Sequence, residues 1–470
     1  MRKAALCVLF LLSIAVSGQR REIHILSAND MHSTISAFPQ LAAIADSLRA
    51  LYPSLLVFSA GDNRTGNPLN DMFETSGYPM VALMNQVGFN GSALGNHDFD
   101  MHSLPPLIPL SNFRYICANI VADDSTGIRT VPYQVFDVEG MKVGVVGLTQ
   151  VGQRGHPDTH PDNLGGMRFE EPSVVLPRYE WLSRQCDATI LLTHEGYRMD
   201  TLIAKEFPWI DLIIGGHSHT QLKGKEVIGG VLVTQNRNKL PFVTHTTLVV
   251  DSGMVVEKKA EYINVKHFTK KNRVVDEMVR AFSNNPDFKH VLAHAESPFD
   301  NIYEVGCMVC DALMEETGAD IAIHNQRGVR LEYHPGGDIS VFDVLAIDPF
   351  GNVGYIMTLT GKEVEMVITK YSRMDVLHFP HLAGIRAEVT LDKKDPMVIT
   401  SIKLLDENGR KLDKKKTYRV VTNSYVAAAC KAYNINNMVR VNRETADMIM
   451  RYLEKRKTVD YKGVHRIVFK

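Results

Sequence analysis

Side chains of the kinds that hold metal ions recur at one kind of place in this chain, just past short apolar runs. Asp30-Met31-His32 follows residues 22–27, Gly61-Asp62 follows 54–59, and Gly95-Asn96-His97-Asp98 follows 91–94. Thr193-His194 follows 188–192, and Gly215-Gly216-His217-Ser218-His219 follows 211–214. Taken singly, each histidine reads as a structural residue and each aspartate as a cap or turn. Five such segments in one order point instead to a shared centre. The candidate ligands are Asp30, His32, Asp62, Asn96, His194, His217 and His219. Two carboxylates, four imidazoles and one amide suit zinc, manganese, iron or cobalt better than calcium or magnesium. One ion would not use all seven groups, whereas two divalent ions would. Asp62 is the natural bridge, because a carboxylate spans ions about 3.5–4 Å apart.

The chemistry expected of such a site is hydrolysis of a phosphate ester. Paired cations offset the charge of the phosphate oxygens and lower the pKa of a water toward about 7, and the hydroxide attacks phosphorus in line. His97, one residue beyond Asn96, is left to stabilise the transition state or protonate the leaving group, with Asp100 orienting its ring. Asp30 and His32 are two apart, as are His217 and His219, so each pair would share one side of an extended backbone. Glycines before Asp62, Asn96 and His217 permit tight turns and close approach. His24, His102, His156 and His160 lack this placement, and residues 155–163 read as a surface loop. Gly144 and Gly147 lie inside an apolar run and read as packing glycines.

The elements that must position these residues alternate from about residue 22 to 265. Strand candidates are 22–27, 54–59, 91–94, 143–148, 188–192 and 211–214, with helical periodicity at 40–51 and 174–184 between them. That order implies βαβ units and a buried, partly parallel sheet whose strand ends form a ligand crevice. Runs at 231–234, 246–250 and 255–262 look antiparallel. A polar helix over 269–282, ended by Asn284-Asn285-Pro286, marks the domain boundary, and a second α/β or α+β unit runs to Lys470.

The whole chain bounds the answer. Its 470 residues suffice for two cores, and 45% hydrophobic with 22% charged residues is the composition of a soluble globular protein. A net charge of −1 gives no pull toward polynucleotides or anionic lipid. Met1-Arg2-Lys3, an apolar run over 4–16 and the small residues Ser17-Gly18 read as a signal peptide. The run is shorter than the roughly 20 residues of a membrane span, and no later stretch suits one. Export to the periplasm or outside the cell, without a transmembrane anchor, is expected. Beyond Cys7, the cysteines Cys117, Cys186, Cys307, Cys310 and Cys430 are odd in number, which does not suit a disulfide framework. Cys307 and Cys310 sit at helical spacing and read as buried small hydrophobes.

Asp-x-His, Gly-Asp, Gly-Asn-His-Asp, a lone histidine after a strand and Gly-His-x-His together resemble the calcineurin-like metallophosphoesterases. The strings at Gly95–Asp100 and Gly215–His219 are similar to the 5′-nucleotidase branch. The resemblance implies an α/β architecture, with a four-layer αββα metallophosphoesterase domain at 19–265. A linker helix at 266–288 and a smaller C-terminal substrate-binding domain at 289–470 would follow the signal peptide at 1–18. It implies Asp30, His32, Asp62 and His219 on one metal, Asp62, Asn96, His194 and His217 on the other, and His97 with Asp100 as the catalytic dyad. The metals would be zinc, manganese or cobalt. In the second half, Asn325-Gln326-Arg327-Gly328-Val329-Arg330 resembles the family's Asn-Gly-Gly-Gly-Ile-Arg element with two glycines replaced. There Asn325 and Arg330 hold the places that contact substrate. Pro349-Phe350-Gly351-Asn352 matches well, and its aromatic stacks on the nucleobase. After Thr422-Asn423-Ser424-Tyr425 the family's Gly-Gly-Asp-Gly run is replaced by Ala428-Ala429-Cys430-Lys431, while Tyr433 keeps the spacing of a second stacking aromatic. The function implied is release of phosphate from nucleoside 5′-monophosphates. UDP-sugar diphosphatase and 2′,3′-cyclic-nucleotide phosphodiesterase activities remain open on the same fold, as does a surface binding protein without turnover.

Overall fold

The computed structural model describes residues 20–152 and 154–470; the expected signal peptide at 1–18 lies outside them. The first half is built on two six-stranded sheets. In the first sheet, Arg21–Ala28, Leu56–Ser59, Gly91–Ser92 and Arg114–Tyr115 run parallel, and the hairpin Phe242–Asp251/Met254–Asn264 adds antiparallel at one edge. In the second, Val231–Thr234, Leu212–Ile214, Ala188–Thr193 and Met141–Leu148 are parallel, with antiparallel strands at both edges. Val231–Thr234 thus pairs parallel with Leu212–Ile214, where the sequence suggested an antiparallel strand.

Strand periodicity explains the layers. Ile23, Ile25, Leu56 and Phe58 face Val143, Val145, Ile190, Leu192, Leu212 and Ile214 in one core between the sheets. Alternate residues Leu26, Ala28 and Val57 pack outward on Leu41, Ile44 and Met84. Leu191, Ile213 and Val233 pack outward on Leu182, Ile203 and Phe207. The result is helices, sheet, sheet, helices: the expected αββα sandwich. The parallel register also sets where the chain leaves each strand. Ala28 stands beside Ser59 and Ser59 beside Ser92, so the segments carrying Asp30, Asp62 and Asn96 leave together. Leu192 beside Ile214 does the same for those carrying His194 and His217.

Two helical expectations change. Residues 174–184 break into Pro172–Val175, a 3-10 turn at Leu176–Tyr179 and Leu182–Gln185, because Pro177 cannot donate within a helix. The helix Arg273–Phe282, capped by the Asn272 side chain accepting from Val275 N at 3.1 Å, buries Val275 and Val279 in the core beneath the first sheet. It therefore packs on the first half instead of hanging between the halves.

The second half centres on a five-stranded mixed sheet. Helices Ile302–Thr317 and Thr445–Arg456 cover one face, and Gly361–Ser372 and Ser424–Lys431 the other. Cys307 and Cys310 are buried in the first of these cores, and all five described cysteines are free. Among the described residues, no helix is long and apolar enough to cross a membrane.

Candidate metal centre and active site

The ligand-bearing segments meet at one end of the sandwich, three arriving from the first sheet and two from the second. The extended pairing expected for Asp30/His32 and His217/His219 is not what forms. Asp30, His32, Asp62, His217 and His219 all have left-handed backbones, with φ of 47°, 43°, 52°, 72° and 56°. Such conformations cost on the order of 1–3 kcal/mol each for residues with a side chain, and they cluster where function demands a fixed geometry. Here cross-loop hydrogen bonds impose them: Asp30 N donates to Gly61 O and His32 N to Asp62 O, both at 3.0 Å. The glycines act by close approach. A Cβ on Gly95 would stand 2.1 Å from Asp62 Oδ1, and one on Gly61, itself at φ +88°, 2.4 Å from Gly95 N.

All seven candidate ligands are linked by short distances. Asp62 Oδ2 lies 3.1 Å from His194 Nε2 and 3.8 Å from His32 Nε2. Asp30 Oδ1 lies 3.3 Å from His219 Nε2 and 3.8 Å from His194 Nε2. His32 Nε2 and His219 Nε2 are 3.2 Å apart, and Asn96 Oδ1 is 2.9 Å from His217 Nδ1. Two groups have ligand atoms within 4.8 Å of one another, Asp30/His32/His219 and Asp30/Asp62/His194, so Asp30 is common to both while Asp62 reaches histidines of each.

The hydrogen bonds around these rings fix which nitrogen faces the centre. His194 Nδ1 is 2.7 Å from Ala60 O, which can only accept, so the proton sits on Nδ1 and the buried Nε2 turns a lone pair inward with no hydrogen-bond partner. His32 Nδ1 likewise meets Thr65 O at 3.1 Å, leaving Nε2 to face the nitrogen of His219. Backbone carbonyls commonly orient metal-binding imidazoles in this way. Burial opposes ionisation of Asp30 and Asp62, but a proton taken up at His194 Nε2, where a cation would otherwise stand, holds both below the usual carboxylate range. Lone pairs converging on two buried carboxylates are the environment a pair of divalent cations completes, and the residues fit them.

His97 Nδ1 lies 2.8 Å from Asp100 Oδ2, and Thr159 Oγ1 donates to Asp100 Oδ1 at 2.6 Å. The His97 backbone N donates to Asp62 Oδ1 at 2.8 Å, tying the dyad to the ligand cluster. Residues 155–163 are not the surface loop expected. The Asp158 carbonyl accepts from Asn96 Nδ2 at 3.1 Å, and Thr159 is buried against Asp100. Two positioning residues escaped sequence reading. Asp98 Oδ2 accepts from Asp62 N at 3.0 Å and Gly95 N at 2.8 Å, and its place within Gly95–Asp100 was the available signal. Asp71 accepts from Thr65 N, Gly66 N, Asn67 N and Ser33 Oγ, and nothing in its local sequence marks it.

From the second half, Arg330 and Phe350 reach this centre. Arg330 Nη2 stands 3.1 and 3.2 Å from the two ring nitrogens of His32, and its guanidinium lies 6.0 Å from the Phe350 ring centre. Phe350 stacks on His97. Asn325 Oδ1 accepts from Asn423 Nδ2 at 2.7 Å, and Asn352 Oδ1 from Ser424 Oγ at 2.7 Å. Tyr433 lies under Lys370, with Nζ 5.3 Å from its ring centre.

A layered sandwich bearing this donor set at its strand ends defines a metal-dependent phosphoester hydrolase. Residues 23–221 match the calcineurin-like phosphoesterase family and residues 288–437 the 5′-nucleotidase C-terminal domain. The chain belongs to the 5′-nucleotidase family of calcineurin-like metallophosphoesterases. It is 27% identical to a 5′-nucleotidase of Vibrio cholerae serotype O1 over 87% of this chain and 83% of that one. It is 24% identical to the trifunctional nucleotide phosphoesterase YfkN of Bacillus subtilis, over 88% of this chain but only 32% of that protein's length. In fold it is similar to a 5′-nucleotidase precursor from Thermus thermophilus, with a TM-score of 0.84 at 23% identity, covering 96% of this chain and 99% of that one.

Proposed function

We propose that this protein is an exported phosphohydrolase that removes phosphate from nucleoside 5′-monophosphates. Residues 19–265 carry the metal site and residues 289–470 hold the nucleoside. Asp30, His32, Asp62 and His219 hold one cation, and Asp62, Asn96, His194 and His217 the other. Zinc, manganese or cobalt suits these donors. When bound, the cations neutralise phosphate charge and acidify a water. The chain's own groups do the rest. Asp100 accepts from Nδ1–H of His97, and in the imidazolium form of that ring Nε2–H is the second donor, available to charge on the transferring phosphate or to the leaving oxygen. Arg330 supplies forked donors for phosphate oxygens. Phe350 supplies a π-face for the base, with Tyr433 as the candidate second face and Asn325 and Asn352 as further candidate substrate contacts.

The observation that carries this reading is that Arg330 and Phe350, both from the second half, stand against His32 and His97 of the first. Release of phosphate from 5′-AMP, UDP-glucose, 2′,3′-cyclic AMP and an aryl phosphate, each with manganese, tests it. Preference for 5′-AMP is expected. Preference for either of the next two would reassign the substrate, and no release from any of them with two metals bound would favour a binding protein. Detection of the chain in the periplasm or medium, shortened by about the length of a signal peptide, tests export.

A further inference from the structure

A second pair of histidines meets far along the first sheet from the candidate metal centre. His24 continues the outward face of the strand Arg21–Ala28, on which Leu26 and Ala28 pack toward the helix Phe38–Leu51. Thr247 stands directly across from it on the neighbouring strand Phe242–Asp251, and His245, two residues from Thr247, shares that face. Nδ1 of His24 lies 3.2 Å from Nε2 of His245 and 3.3 Å from Thr247 Oγ1. Tyr52, which ends the helix Phe38–Leu51, stacks on His24 with ring centroids 3.5 Å apart and planes 17° from parallel. The His24 ring is thus clamped with its Nδ1 edge toward His245.

Protonation decides what these nitrogens can do. Glu22 Oε2 lies 3.1 Å from Nε2 of His24 and, as a carboxylate, can only accept. That nitrogen therefore carries the hydrogen, and Nδ1 presents a lone pair. A carboxylate on the far nitrogen is the partner that orients a metal-binding imidazole. Burial lowers the pKa of both rings, so both are neutral at pH 7 and able to ligate. The spacing selects the ion. Two nitrogens bound to one tetrahedral zinc at about 2.0–2.1 Å stand about 3.3 Å apart. A square-planar ion with bonds of that length would draw them to about 2.9 Å.

We propose that His24 and His245 form a further zinc site, outside the catalytic centre, with Glu22 as its orienting carboxylate. Glu261 lies directly across from His245 on the strand Met254–Asn264 and is exposed. Cross-strand partners have Cβ atoms about 4.5–5.5 Å apart, so its carboxylate can reach the same ion, and water completes the tetrahedron. The ion ties together two strands whose histidines are 221 positions apart, and so braces the sheet that carries Asp30.

The test counts zinc by elemental analysis after equilibrium dialysis of the holoenzyme, its catalytic pair already filled, against graded micromolar zinc. One ion per chain beyond that pair is expected, and His245→Ala should bind one fewer than the wild type. Excess zinc should raise the Tm of the wild type and not that of His245→Ala. Glu22→Gln, at an exposed position, should weaken this zinc by about 10- to 100-fold without displacing a ligand. No count depends on turnover of any substrate. A folded His245→Ala that binds as much zinc as the wild type would overturn the proposal and leave the pair as a ring-to-ring hydrogen bond. Should that variant fail to fold, Glu22→Gln carries the comparison, and zinc affinity unchanged from the wild type overturns it.

Discussion

Phe350 lies on His97 with ring centroids 5.8 Å apart and planes 28° from parallel. The two residues come from different halves of the chain, so the group proposed to hold the base touches the group proposed to assist departure of the nucleoside. A base bound against Phe350 therefore places its 5′-oxygen close to the imidazole. Phe350→Ala should raise KM for 5′-AMP, with a loss of about 1–3 kcal/mol in kcat/KM, while an aryl phosphate loses much less. Steady-state kinetics on the two substrates reads the difference; equal losses would remove Phe350 from base recognition.

His97 is fixed by Asp100 on one side and by its own backbone N–H to Asp62 on the other. Its ring is thus separable from the ligand set. His97→Asn should leave the metal content at two per chain and lower kcat by about 10²- to 10⁴-fold, the usual scale for a lost general acid. Elemental analysis of the purified variant beside its turnover checks this, and a variant short of metal would show that the ring is a ligand.

The strands and the ligand types were legible because buried parallel strands leave uninterrupted apolar runs, and polar residues such as Asp30 and His194 punctuate their ends. The backbone at those ends was not. Positive φ at His32 and His219 leaves no glycine to announce it, since long-range bonds such as His32 N to Asp62 O enforce it. Residues 155–163 misled for the same reason. Their polarity reads as solvent exposure, yet Asp158 and Thr159 satisfy Asn96 and Asp100, which lie some sixty positions earlier. Asp71 collects backbone N–H groups of its own loop, and no local pattern separates it from a surface aspartate. Glycines that admit a neighbour's backbone are legible only as exceptions. Gly147, inside a strand, was read as a packing glycine, and a Cβ there would stand 1.8 Å from Ile116 O.

Asp348 gives a pH signature away from the metal site. Burial raises its carboxyl to about 6, against the hydrogen bond from Thr445 and the backbone of Phe350. From about pH 4, where the unfolded chain releases this proton, up to about pH 6, where the folded chain does, the native state binds the extra proton. Its contribution to stability is complete below that window and falls as pH rises through it, by up to about 3 kcal/mol. Asp348→Asn removes the titration. Denaturant unfolding at pH 4.5 and pH 7 should show the variant gaining on the wild type at the higher pH. A difference that does not change with pH would place the ionisation elsewhere.

The helix Arg273–Phe282 decides where the first half ends. Asn272 N donates to Pro39 O at 2.9 Å and its side chain to Asp46 Oδ2 at 2.8 Å, both on the helix Phe38–Leu51. Phe282 meets Phe73 edge-on at 5.7 Å, and Val275 is fully buried. Each buried side chain of this size contributes about 1.5–3 kcal/mol. A fragment of residues 19–284 should therefore melt well above one of residues 19–265, which leaves the faces of Phe38–Leu51 and Tyr78–Val87 uncovered. If that surface is the missing stabilisation, the shorter fragment should also bind more of a hydrophobic dye at temperatures where the longer one binds none. Identical melting curves for the two would mean that the helix belongs to neither core.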